Sequence, residues 1–170
     1  MKRLVMILPL LLASPAGAEV VTASPNGFEI RHTINIAAPP AAAFAAFQKV
    51  GTWWSGEHTY GGNAANLSLS MSPGGCWCEQ LSGGGGIQHM QVIYVDPGKR
   101  VVMTGSLGPL LYLATAGVMA VQFKPVAQGS QVVFDYRAAG FFNGGADKLA
   151  PGVDGVLAEQ VKRFGAALAR

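Results

Sequence analysis

Residues 28–48 read FEIRHTINIAAPPAAAFAAFQ. In the first nine, Phe28, Ile30, His32, Ile34 and Ile36 alternate with Glu29, Arg31, Thr33 and Asn35, the period of two that a half-buried strand requires. Pro39 and Pro40 stop the strand. The Ala-rich run Ala41–Gln48, with Phe44 and Phe47 three apart, predicts a short helix with proline in its first turn. Gly51-Thr52-Trp53-Trp54 then ends a short helical pair.

The period of two returns downstream. Leu67, Leu69 and Met71 alternate with Ser68, Ser70 and Ser72, and further strands are expected at Cys76–Leu81, Ile87–Val95, about Arg100–Leu107, Val118–Lys124 and Gln131–Ala138. Pro73-Gly74-Gly75, Gly83–Gly86, Asp96-Pro97-Gly98 and Pro125–Ser130 supply the turns between them. The apolar run between Gly108 and Gly117 has no period and reads as a turn or irregular cover. From Val153 to Ala169 the apolar residues Val153, Leu157, Val161, Phe164 and Leu168 fall at spacings of four and three, which predicts a long amphipathic helix. Seven antiparallel strands bracketed by helices make an α+β domain with its helices on one face of the sheet.

Composition narrows the function classes. Half of the 170 residues are apolar and 12% are charged, far from the regime of disorder. The 12 Lys and Arg against 9 Asp and Glu give +3. Two of those cations, Lys2 and Arg3, head an apolar run from Leu4 to Ala13 that ends in Ala16-Gly17-Ala18, the small-x-small pattern of a signal peptidase site. Residues 1–18 therefore read as a signal peptide cleaved after Ala18, 19–26 as an N-terminal extension and 27–170 as a single domain, in a periplasmic or secreted protein. Beyond the leader 10 cations face 9 anions with no basic cluster, which argues against nucleic acid as a partner. The apolar leader is about ten residues, too short for the ~20 a membrane span needs.

The order strand, helical pair, six strands, long helix, together with Ala38-Pro39-Pro40, Trp53-Trp54 and Asp96-Pro97-Gly98-Lys99-Arg100, resembles the START-like, or SRPBCC, superfamily. Trp54–Tyr60 (WSGEHTY), Asn66–Leu69, Gly74–Glu79 (GGCWCE), His89-Met90 and Val153–Leu157 are similar to a secreted subgroup described as like polyketide cyclase/dehydrase or activator of Hsp90 ATPase homologues. The resemblance implies a helix-grip fold: a curved seven-stranded antiparallel sheet wrapped around the long C-terminal helix, with two short helices after strand one and a cavity between sheet and helix. It also implies a small apolar or amphipathic molecule as the partner and no cofactor. Co-chaperone action on an ATP-driven partner is disfavoured, because an exported chain does not meet the cytosolic chaperone.

The candidate site residues follow from position. Trp54, His58 and Tyr60 lie on a loop that suits the mouth of the cavity, and Trp53 or Trp54, but not both, is expected to face inward. Met103 lies on an inward strand position. Tyr112, Phe141 and Phe142 flank strand ends and suit its lining or lid. Cys76 and Cys78, at i and i+2 on one strand face, are either two buried thiols, a disulfide at the edge of allowed geometry, or soft metal ligands. A four-residue loop at Gly83–Gly86 pairs Ser82 with Ile87 and gathers Cys76, Cys78 and His89, with His58 as a fourth candidate ligand. One residue of slip sets His89 against Glu79 as an acid–base dyad. No metal is favoured. The leading expectation is a binding protein whose ligand contacts are Trp54, His58, Tyr60, Cys78, His89, Met103, Tyr112 and Phe142. The alternatives are a cyclase or dehydratase using His89, Glu79 and His58, and a metal or thiol-redox site at Cys76, Cys78 and His89. His32, on an apolar strand face, is expected to be a satisfied core or cavity-wall histidine.

Overall fold

The computed structural model describes residues 18–169. The expected signal peptide, apart from Ala18, lies outside them. The strands are β1 (Ala18–Ser24), β2 (Gly27–Ile36), β3 (Leu67–Leu69), β4 (Cys76–Gln80), β5 (Gly86–Asp96), β6 (Arg100–Thr104), β7 (Thr115–Val126) and β8 (Gly129–Gly140). They form one antiparallel sheet in the order β1-β2-β8-β7-β6-β5-β4-β3. The count is eight, not seven, because residues expected to be an extension pair with β2 across a turn at Pro25-Asn26. Helix α1 (Pro40–Gln48) carries its proline at the start, as expected. The second short helix is replaced by 3₁₀ turns at Val50–Thr52, Gly56–His58 and Ala64–Asn66.

The C-terminal helix α2 spans Ala146–Leu168, seven residues longer at its start than the apolar spacing indicates, with Pro151 inside it. Proline there removes only one backbone donor near the start of the helix, a tolerable loss in a helix of this length. Helix α2 packs chiefly on β2 and β1. On its other side Gln160 accepts from the Ser55 N–H at 2.7 Å, and the Arg163 guanidinium donates to the Trp53 carbonyl at 3.0 Å. The helix is thus held between the first two strands and the Trp53–His58 segment.

The expected cavity is where the structure departs most from the sequence reading. Phe47 of α1 lies 5.9 Å from Phe134 on β8, 6.1 Å from Phe164 on α2 and 5.5 Å from Trp53, and Phe134 and Phe164 are themselves 5.8 Å apart. Trp54 and Trp77 add an edge-to-face pair at 5.0 Å. Side chains of this size each bury about 150–250 Å², so the space between sheet and helix is packed rather than hollow. Trp53 and Trp54 are both buried. Strand alternation does not govern them, because both N–H groups bond to the Val50 carbonyl in a tight turn that directs neighbouring rings inward.

Candidate functional site

The β4–β5 hairpin takes neither register weighed from the sequence. Glu79 pairs with Ile87 and Gln80 with Gly86, and the turn is closed by Leu81 N–H donating to the Gly85 carbonyl at 2.8 Å. Gly83 and Gly84 sit at φ +90° and +87°, a conformation glycine alone adopts without strain, so the glycine run sets the turn. Beyond Cys78 the pairing shifts: Cys78 faces Gln88, but Trp77 faces Met90. His89 is the extra residue of a β-bulge, which turns it to the same face as Met90, so that both are buried. The Glu79–His89 pair therefore forms, by a bulge and not by slippage.

Glu79 has a fully buried side chain. Its Oε2 accepts from Tyr60 N–H at 3.0 Å and lies 3.0 Å from His89 Nε2, and its Oε1 accepts from Gly61 N–H at 2.5 Å. One carboxylate thus fastens the Tyr60-Gly61 loop and orients the imidazole. Burial pushes the His89 pKa down against the opposing pull of Glu79, which favours a neutral ring. With the Nε2 proton assigned toward the carboxylate, Nδ1 is an acceptor.

Above this pair stand two tyrosines. The Tyr60 ring lies 5.8 Å from His89 and 6.2 Å from Tyr112, and its hydroxyl donates to the Gly108 carbonyl at 2.5 Å. Burial raises the Tyr60 pKa, with Tyr112 and Glu79 adding to the effect. The 3₁₀ turn Gly108–Tyr112 tucks Leu110 into the core and leaves Tyr112 77% exposed. Beneath the same segment Tyr136 accepts from Leu107 N–H at 3.3 Å, and burial pushes its phenol up to about 12.

Of the expected ligand contacts, Tyr60, His89 and Tyr112 come together. Met103, Trp54 and Phe142 belong to the core, with Phe142 6.1 Å from Phe28. Cys78 is on the outer face of β4, opposite Trp77 and Glu79. His58 pairs with Glu159 of α2 at 3.1 Å on a half-exposed surface, an environment separate from His89, so the three-residue catalytic set of His89, Glu79 and His58 is not assembled. The two cysteines are joined to each other in a disulfide, one of the three arrangements the sequence left open, and this removes them as free thiols and as ligands. Among the described residues no three His, Cys, Asp or Glu side chains converge as a metal ion requires.

His32 is buried, as expected, but it is not the satisfied histidine the sequence suggests, and its neighbour is a residue the sequence does not signal. Its Nε2 is 2.9 Å from Oδ1 of Asp154, out of hydrogen-bond line. Burial lowers its pKa and Asp154 opposes that shift. Glu159, Gln160 and Arg163, which fasten the Trp53–His58 segment, were likewise absent from the sequence reading, since their contacts cross about a hundred residues of chain.

No family model and no curated protein matches the sequence. Solved structures do match. A protein from Rhizobium leguminosarum superposes with TM-score 0.62 at 19% identity, covering 92% of this chain and 99% of its own. One from Mesorhizobium loti gives 0.61 at 16%, covering 84% and 97%. CalU16 from Micromonospora echinospora gives 0.59 at 9%, covering 89% and 83%. At these identities the likeness speaks for architecture alone, and it agrees with the open antiparallel sheet and the clamped C-terminal helix: the chain has an α+β architecture that fits a helix-grip fold.

Proposed function

We propose that this protein binds a small apolar or amphipathic molecule at the rim formed by Tyr60, Tyr112 and His89, and not in the space between sheet and helix. The observation that carries this reading is the run of neighbouring rings from His89 to Tyr60, tilted at 37°, and on to Tyr112, edge-on at 73°, whose outermost ring is 77% exposed. Aromatic faces left in water beside a buried, oriented acceptor form a few-point polar site with apolar walls. The Tyr60 hydroxyl fastens the turn Gly108–Tyr112 beside it. Export to the periplasm or exterior belongs to the same proposal. It rests on the Lys2-Arg3-headed leader and on the disulfide, a bond that persists in oxidising compartments. Native mass spectrometry of the protein isolated from its producing cells tests the reading. A bound small molecule that is lost in Tyr112→Ala supports it. No bound mass, together with no affinity for 1-naphthol as a probe, refutes it.

The 3.0 Å Glu79–His89 contact favours a second reading, acid–base catalysis of cyclase or dehydratase type with His89 Nδ1 as the base. Glu79 is committed to three hydrogen bonds, so in this reading it positions His89 and does not itself transfer a proton to substrate.

A further inference from the structure

The Cys76–Cys78 disulfide stands apart from the rim, on the other face of the sheet, and three features coincide there. A cleft of about 510 Å³ lies at the hairpin end of β3, β4 and β5, lined on the outer face by Ser68, Cys78, Gln80 and Gln88, by the hairpin glycines 84–86, and also by Glu79. Cys76 is not part of that wall, so along β4 the cleft lies beyond Cys78 on the side away from its partner. Second, the two Cα atoms are 5.3 Å apart, whereas two residues of a flat strand span about 6.6 Å. The strand is drawn in around Trp77. Third, the β4–β5 register shifts between Trp77 and Cys78, producing the bulge that turns His89 inward.

We propose that Cys76–Cys78 is a thiol–disulfide exchange site attacked at Cys78 from the cleft, and that its closed form holds the bulge that aims His89 at Glu79. Exchange proceeds by in-line attack of a thiolate on one sulfur with the other leaving. A thiolate of a dithiol reductant bonds to Cys78 Sγ, and the bond to Cys76 Sγ breaks. The electron pair departs on Cys76, which takes a proton from water. The second thiolate of the reductant then attacks the reductant sulfur that is bonded to Cys78, the bond to Cys78 Sγ breaks, and Cys78 leaves as a thiolate that takes a proton from water, so the protein gains two thiols and the dithiol becomes a disulfide. Ser68, Gln80 and Gln88 in the wall are uncharged, and the one acidic residue beside it, Glu79, keeps its carboxylate buried and bonded to Tyr60 N–H, Gly61 N–H and His89, which weakens its repulsion of an incoming thiolate. With the link opened, β4 is free to extend, and the pairing that leaves His89 as the extra residue loses its constraint.

The test equilibrates the folded protein with dithiothreitol over a graded redox range, alkylates it with a maleimide, and reads intact mass together with the His89 ring resonance by NMR. Both cysteines are expected to label without loss of the circular dichroism of the fold, and the His89 resonance to move with the fraction reduced. The Cys76→Ser/Cys78→Ser double variant is expected to show the reduced-form resonance with no reductant present. Cys78 in the Cys76→Ser variant is expected to label at least about tenfold faster than Cys76 in Cys78→Ser, reflecting access from the cleft. Labelling that requires denaturant overturns the exchange site. Reduction that leaves the His89 resonance in place overturns its link to the bulge. None of these readouts needs a ligand, so failure of the rim site does not disturb them.

Discussion

Replacing Glu79 by alanine removes the one acceptor shared by Tyr60 N–H, Gly61 N–H and His89 Nε2. Leaving a buried donor unpaired costs about 1–3 kcal/mol. The loop donors lie only partly inside and recover some hydration from water entering the vacated space, whereas His89 is buried. The sum of the unpaired donors for Glu79→Ala comes to about 3–5 kcal/mol. At roughly 2–4 °C per kcal/mol for a domain of this size, the melting temperature falls by about 6–20 °C. Glu79→Gln keeps the shape and one acceptor and costs about 1–2 kcal/mol. It also forces the imidazole to accept from the new amide or turn away, a tautomer change visible in its ¹⁵N shifts. The assay is urea unfolding followed by tryptophan fluorescence at pH 7.5, which the buried Trp53, Trp54 and Trp77 report directly. A loss below about 1 kcal/mol for Glu79→Ala would refute the claim that this carboxylate fastens the site.

Phe47→Ala, which strips the centre of the aromatic core, is expected to cost about 3–5 kcal/mol in the same assay. His58→Ala is expected to shift stability by less than about 1 kcal/mol, because its pair with Glu159 is solvent-accessible, and to leave 1-naphthol binding unchanged in isothermal titration. His89 and His32 both have folded-state pKa values below the ordinary 6.5 through burial. Above that pH both states are neutral; as pH falls below it the unfolded chain takes up protons first, so the urea midpoint drops as the pH is lowered through about 6.5. His89→Gln is expected to flatten its share of that slope. Tyr112→Ala is expected to change stability by no more than about 0.5 kcal/mol while weakening 1-naphthol binding at least tenfold, since the ring is exposed in the free protein.

The strands and the grip helix were legible because their apolar residues repeat with the right period. Phe28–Ile36 and Val153–Leu168 are the clearest cases, and both lie where expected. β1 was not legible: Val20-Val21-Thr22 carries a bulge against β2, and its short run lacks clean alternation. The site was legible in its residue types but not in its wiring. His89 faces inward only because a bulge breaks the period of two, and no composition rule places a bulge opposite Trp77. Whether a helix-grip interior is hollow or filled depends on how five rings from α1, α2, β4, β8 and a turn meet in space, and side-chain volume along the chain does not carry that information.

Titration of the isotope-labelled protein with 1-naphthol, followed by ¹H–¹³C spectra of its aromatic and histidine rings, addresses the location of the binding site. Saturable shifts confined to Tyr60, Tyr112 and His89, with Phe134 and Phe164 unmoved, are the expected result. Shifts centred on Phe134 and Phe164 would put the ligand between sheet and helix and contradict the rim site.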